Sequence, residues 1–213
     1  MATTRDRDRL NMIVKQYMTA NPITVTKEAT VEDAIQLLKT NFIRHLPVVE
    51  NDRLIGWLTD ANLRGALFPS MLEEITIKDI MIHDPITVEA SESIEAAARL
   101  LVKNRIGGMP VIENEQLVGV ITVIDLLNAF LEMLGILQSS SRIDVKPRST
   151  HGAIDSISSV IEREGSEIIS VCLVPQKCGD GQIYSFRLGR CDAKKLVEEL
   201  EKEGHEVISY STC

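Results

Sequence analysis

Thr122 and Asp125 stand three residues apart, where the short run GVIT (119–122) turns into a helix. A hydroxyl and a carboxylate at that spacing can do two things. They can cap the helix reciprocally, satisfying backbone N–H groups at its start. The carboxylate can also accept hydrogen bonds from both hydroxyls of a ribose, while the threonine hydroxyl reaches the sugar or a phosphate. Charge-assisted bonds of that kind contribute about 1.5–3 kcal/mol each, and the two roles are compatible. Sixty-three residues earlier, Thr59 and Asn62 repeat the arrangement with an amide in place of the acid. A second polar pair, Arg44 and His45, precedes an apolar run at 46–49. Surface cations are usually just solvated, but a guanidinium also suits bidentate contact with a phosphate. The histidine adds charge only when protonated, so its contribution should grow below about pH 6.5.

A repeat positions these groups. Residues 14–64 align with residues 77–127 at a constant shift of 63, without a gap, and 20 of the 51 positions coincide. Met18/Met81, Pro22/Pro85, Pro47/Pro110, Gly56/Gly119 and Thr59/Thr122 are among them. Glycine, proline and apolar positions kept in register mark a duplicated supersecondary unit, and two copies make a paired module rather than a solenoid. Each copy reads as strand, helix, strand, strand, helix. In the first, residues 23–26 are β-branched enough for a short strand. Thr30 caps a helix with Asp33, and Val31, Ala34, Ile35 and Leu38 form its apolar stripe. Residues 46–49 and 54–58 pair across a polar turn, and a second helix starts near Thr59. In the second copy, Ser93 caps a helix over 94–102, residues 109–112 and 117–121 form the hairpin, and 125–134 the closing helix. Small domains bury a low fraction of their surface, so the copies should pack together about a pseudo-twofold axis.

Bulk properties exclude several classes. A chain of 213 residues that is 44% hydrophobic can hold one or two domains with substantial cores. Net charge −8 argues against nonspecific nucleic-acid binding, which needs a clustered cationic surface. Residues 1–10 are Arg/Asp-rich, lack a basic-then-apolar leader, and read as a flexible N-terminus. The longest apolar passage, 117–137, is broken by Asp125, Asn128 and Glu132, so it reads as strand plus amphipathic helix rather than a membrane span. A cytoplasmic location is expected. Cys172, Cys178, Cys191 and Cys213 form no C-x-x-C pair, and His151 and His205 lie at no ligand-like interval, so neither a metal site nor a disulfide is expected. Motifs for nucleophilic, metal or paired-carboxylate catalysis are missing, and the expected class is not an enzyme.

Residues 137–141 carry a Gln-Ser-Ser-Ser tract that reads as a linker. Residues 142–213 do not match the repeat. A strand at 142–145 precedes a helix at 152–164 whose Ile154, Ile157, Val160 and Ile161 share a face and which Gly165 stops. A strand at 167–174, a turn at 178–181 and a strand at 183–188 follow. An amphipathic helix at 192–203 and a strand at 206–210 complete a βαββαβ order, the ferredoxin-like split unit. The whole is mixed α/β (α+β).

The stretches VKQYMTANPITV (14–25) and IRHLPVVENDRLIGWLTDAN (43–62) resemble cystathionine-β-synthase (CBS) domains, as do IKDIMIHDPITV (77–88) and IGGMPVIENEQLVGVITVID (106–125). In tandem they resemble a Bateman module, with one repeat at 11–68 and another at 74–136. The tail resembles an ACT domain, a small-ligand sensor in which a glycine turn after the first strand can hold an amino acid. His151, Gly152 and Ala153 occupy that turn, although Ser149-Thr150-His151-Gly152 stands where the family commonly has acidic-x-proline-glycine. The combined layout is similar to acetoin-utilisation-type accessory proteins.

The CBS resemblance implies an adenosine ligand, with the base pocket of one repeat facing the Ser/Thr-x-x-Asp turn of the other. Site one would join Ile23, Thr24, Ile43, Arg44, His45 and Pro47 to Thr122 and Asp125. Ile23, Ile43 and Pro47 would flank the adenine, Thr24 its edge, and Arg44 and His45 the phosphates. Site two would join Ile86, Thr87, Ile106, Gly107, Gly108 and Pro110 to Thr59 and Asn62. There an amide, which can still accept from a hydroxyl, lacks the charge that strengthens the bond, and glycines replace the cations, so the site should be weaker or empty. Gly107-Gly108 could instead let backbone approach a ligand closely. The implied function is regulatory sensing of AMP, ADP or ATP, with or without magnesium and with no required cofactor. The implied assembly is a homodimer through the CBS helices and ACT-like units, acting on an unidentified protein. S-adenosylmethionine or NAD as ligand, and a ligand-free structural adaptor, are the other readings.

Overall fold

The chain leads into two helix-flanked hairpins of the same design. In the computed structural model, residues 12–51, 53–66, 75–175 and 181–212 are described. The flexible segment expected at 1–10, and all of the 178–181 turn except Gly181, lie outside them. The chain divides into two compact units, Met1–Leu127 and Asn128–Cys213.

In the first unit α1 (Val14–Tyr17) and β1 (Thr19–Ala20) lead into α2 (Val31–Thr40), β2 (His45–Glu50), β3 (Arg53–Thr59) and α3 (Asp60–Ala66). The second copy follows as α4 (Ile77–Ile80), β4 (Val88–Glu89), α5 (Ile94–Asn104), β5 (Gly108–Glu113), β6 (Gln116–Thr122) and α6 (Val123–Met133). The caps are as the sequence requires. Thr30 Oγ1 accepts the Asp33 N–H at 3.1 Å while the Asp33 carboxylate accepts the Thr30 N–H at 3.1 Å. Ser93 Oγ accepts the Ala96 N–H at 3.2 Å. Equivalent positions are buried in the two helices, Val31, Ala34 and Leu38 in α2 and Ile94, Ala97 and Leu101 in α5.

The copies exchange their leads. β1 of the first copy pairs antiparallel with β6 of the second, Thr19 opposite Val120 and Ala20 opposite Gly119. Reciprocally, Ile82 bridges Trp57 in β3, with N–H to O distances of 2.8 and 3.0 Å. Ile77 lies in the core of the first copy with Val25, Leu46, Val48 and Leu58, and Val14 is fully buried with its N–H on Glu92 O at 2.8 Å. Each half thus helps complete the other, as the low burial of a single copy demands. The strand expected at 23–26 is reduced to one parallel bridge, Val25 with Val48, because the chain turns at residues 27–29. Its equivalent β4 keeps two residues, against Val111 and Ile112 of β5.

The second unit comprises β7 (Ser141–Lys146), α7 (Ala153–Arg163), β8 (Ile168–Val174), β9 (Ile183–Leu188), α8 (Ala193–Lys202) and β10 (Glu206–Ser211). Its sheet has the order β10-β7-β9-β8 with antiparallel neighbours throughout, the ferredoxin-like arrangement. Ile143, Val145, Phe186 and Leu188 of the sheet meet Ile157, Val160, Ile161, Leu196 and Leu200 of the helices in one buried cluster. The tract expected as a linker at 137–141 ends inside this unit. Ser140 and Ser141 are buried, and Ser141 opens β7. The Ser140 hydroxyl donates to Gly135 O at 3.3 Å and accepts from Arg187 at 3.0 Å, so a polar tract serves as an anchor.

Among the described residues, no helix is long and apolar enough to cross a membrane. Nor, among the described residues, is any group of three or more His, Cys, Asp or Glu side chains placed to hold a metal ion.

Candidate functional site

A cleft of about 780 Å³ opens between the copies of the first unit, within the size range of small-ligand sites. The first copy contributes Asn21, Pro22, Ile23, Phe42, Ile43, Arg44 and His45, together with Thr59, Asp60 and Ala61. The second contributes Gly107, Val120, Thr122, Val123 and Ile124. Of the first expected set, Ile23, Ile43, Arg44, His45 and Thr122 therefore meet at one wall. Thr24 is half-buried outside it, and Pro47 is buried in β2 with its carbonyl taken by the Val25 N–H at 3.0 Å. Asp125 is not part of the lining; it is hydrogen-bonded to Thr122, which is. Of the second set, Thr59 and Gly107 line this same cleft. Ile86, Ile106, Gly108, Pro110 and Asn62 do not, and Thr87 lines a smaller hollow of about 450 Å³ with Glu89, Glu92, Arg99 and Lys103.

The two junction boxes differ in what they leave available. Thr122 donates from both its N–H and its hydroxyl to Asp125 Oδ2, at 2.8 and 2.7 Å, and Asp125 N–H returns to Thr122 Oγ1 at 3.3 Å. The cap is complete and takes only one carboxylate oxygen; Oδ1 has no part in it. At the equivalent junction Thr59 N–H and hydroxyl both donate to Asn62 Oδ1, the former at 3.2 Å. That oxygen is the amide's only acceptor, so what Asn62 has left is an NH₂ donor. The sequence-based idea that Asn62 could still accept from a hydroxyl is thus corrected: its acceptor is already taken by the cap.

Arg44 and His45 separate in role. Arg44 is exposed, and its carbonyl accepts the Asp60 N–H at 3.0 Å, which ties the wall to the start of α3. Asp60 pairs with Arg64 at 2.7 Å. Arg64 holds the Asp60 carboxyl below the usual range, with smaller help from Arg44 and Lys39. His45 is half-buried and stacks on Trp57, ring centroids 5.5 Å apart and 22° from parallel. Its ring also crosses to the other copy. A Cβ at Gly108 would stand 3.0 Å from His45 Cε1, and one at Gly107 3.4 Å from Nε2. The His45 ring crowds the space a side chain at Gly108 would need, whereas at Gly107 a Cβ would make only ordinary contact with it. Burial, with Arg44 beside it, pushes the His45 pKa below its ordinary value. Its protonation therefore falls lower than the pH 6.5 expected from sequence.

Asp60, Ala61, Val123 and Ile124 were missed, although they directly follow Thr59 and Thr122 and were legible as first-turn neighbours. In the second unit the exposed His151 and Gly152 precede α7, and Ala153 is buried in its first turn. Gly152 has φ 67° and supplies no side-chain cap. His205 is buried immediately before β10, with Nε2 3.1 Å from Ser156 Oγ and Nδ1 unpartnered.

Comparison with known proteins places this geometry. The CBS domain family matches residues 14–69 and 77–132. A CBS domain-containing protein of Dictyostelium discoideum is 32% identical over 138 residues, 59% of this chain and 95% of that protein. An inosine-5′-monophosphate dehydrogenase of Methanocaldococcus jannaschii is 34% identical over 202 residues, 87% of this chain, but the match spans only 40% of the enzyme. Among solved structures, a Vibrio cholerae protein assigned to acetoin utilization (AcuB) is 30% identical with TM-score 0.54, covering 59% of this chain and 95% of that one. The CBS pair of MJ0100, in complex with 5′-methylthioadenosine and S-adenosyl-L-methionine, is 29% identical with TM-score 0.53, covering 56% and 96%. CBSX2 in complex with AMP is 28% identical with TM-score 0.53, again covering 56% and 96%. With both copies matched and the paired fold shared, the chain belongs to the CBS-domain family and carries two CBS repeats in tandem.

Proposed function

We propose that the CBS pair is a regulatory sensor that binds an adenosine nucleotide in the cleft between its repeats. The observation that carries this is the ligand-sized cleft that Thr122 lines, with Thr122 held by Asp125 through a cap that takes only one carboxylate oxygen. A ribose diol fits the remaining oxygen. Ile23 and Ile43 offer apolar surface to the base, and Arg44 a guanidinium to the phosphate. Related CBS pairs bound to AMP and to S-adenosyl-L-methionine support the ligand class.

AMP, ADP or ATP is the first reading because Arg44 faces the cleft. S-adenosylmethionine is the second, supported by the related CBS pair solved in complex with it. Magnesium would accompany the longer phosphates. Binding alters the packing of the exchanged leads, and through it a homodimer and a regulated partner protein. Differential affinity for the two arrangements makes the switch. The tail is a second, ACT-like regulatory unit, and the chain itself catalyses nothing.

A thermal-shift panel of AMP, ADP, ATP with and without magnesium, S-adenosylmethionine and NAD tests this. Saturating stabilisation by an adenosine phosphate without turnover is the expected outcome. An unchanged melting temperature across the panel would leave a structural adaptor, and turnover of ATP an enzyme.

A further inference from the structure

Phe42 is 95% exposed, and its backbone is left-handed at φ 55°. The conformation is set by the end of α2. Ile43 N–H reaches back to Leu38 O at 3.1 Å and Phe42 N–H to Lys39 O at 3.4 Å, a close that favours glycine at this position. The equivalent Arg105 has φ 54°, with Ile106 N–H on Leu101 O at 3.1 Å. The fold therefore dictates the backbone but not the ring, and the second copy meets the same demand with a solvated cation. A bulky apolar residue here adds strain and exposed apolar surface while contributing no core packing.

The cleft supplies a reason. Phe42 lines it together with three other exposed apolar side chains, Ile23 (36%), Val123 (48%) and Ile124 (62%). Two come from each copy, and they converge on a space whose remaining wall carries Arg44 and Thr122. An aromatic ring at such a mouth offers a π-face to a flat heteroaromatic ring.

We propose that Phe42 is a specificity-determining residue that stacks on the base of the bound nucleotide and closes the apolar end of the cleft. This rests on the nucleotide reading above. Phe42→Gly is the decisive variant because the two roles of the residue pull in opposite directions. Glycine relieves the left-handed backbone, so the ligand-free melting temperature stays level or rises. AMP affinity, measured by calorimetry, falls about tenfold or more. Phe42→Asn, which also tolerates this backbone, gives the same pair of shifts, and Phe42→Tyr keeps AMP affinity within about threefold. Wild-type protein that binds no AMP overturns the nucleotide reading and this proposal with it. Wild-type protein that binds AMP beside a Phe42→Gly protein that binds it equally overturns this proposal alone. So does a Phe42→Gly protein whose oligomeric mass by light scattering changes while its AMP affinity does not, since the ring is then a docking anchor.

Discussion

Met18 of the first copy lies against Gly119 of the second, and Met81, its equivalent, lies against Gly56 of the first. A Cβ at Gly119 would meet Met18 Cγ and Thr19 O at 3.0 Å, and one at Gly56 would meet Met81 Cγ at 2.9 Å and Cβ at 3.3 Å, with the sulfur closer still in both cases. The glycines let each lead lie flat on the partner copy's hairpin. Gly119→Ala and Gly56→Ala should therefore each destabilise by about 1–3 kcal/mol. Adding Met18→Ala to Gly119→Ala should restore part of the loss, which thermal melts of the double-mutant cycle will read.

Asp125 can be tested as a ligand group separately from its work as a cap. Asn62 shows that an amide completes the same cap through its oxygen. Asp125→Asn should accordingly keep the melting temperature close to wild type while nucleotide affinity falls about tenfold or more, equivalent to about 1.4 kcal/mol. Asp125→Ala should lose the affinity and also about 0.5–2 kcal/mol of stability. Melting curves and calorimetry on the same samples separate the two effects.

Arg44 is expected to recognise phosphate rather than base. Arg44→Ala should weaken AMP by about five- to twentyfold, about 1–2 kcal/mol, and leave adenosine unchanged. Competition binding of the two compounds checks it. An equal loss for both would assign Arg44 a structural part.

His45 makes stability depend on pH. Its folded pKa is lowered by burial and by Arg44, so below pH 6.5 the unfolded chain takes up a proton that the folded ring refuses. Stability is then full above about pH 6.5 and declines as pH falls from there toward the folded pKa. His205, lowered by burial and Arg148, acts in the same direction. His45→Gln should flatten the pH dependence of the denaturant midpoint between about pH 7.5 and 5. The contribution of each ring cannot exceed about 1.4 kcal/mol per pH unit.

Much of this was legible in the sequence because the repeat supplies its own alignment. The Thr30–Asp33 and Ser93 caps and both hairpins follow from local chemistry read twice, the ferredoxin-like strand order from the periodicity of the tail, and the shared cleft of Arg44 and Thr122 from the CBS resemblance. What was not legible arises between the copies. That His45 packs closely over Gly108 is a contact across the pseudo-twofold, invisible within either repeat. The orientation of the Asn62 amide is decided by two Thr59 donors competing for one oxygen. Pro47 looked like a cleft wall by position, but the Val25 bridge buries it. Ser140 and Ser141 looked like linker by composition, and hydrogen bonding to Gly135 and Arg187 holds Ser140 in the fold.

The most direct measurement is isothermal titration calorimetry of the full chain with AMP, run beside Asp125→Asn. One strong binding event per chain, lost or weakened at least about tenfold in the variant, is the expected result. No binding, two equal events, or an Asp125→Asn protein that binds as the wild type does would contradict the account.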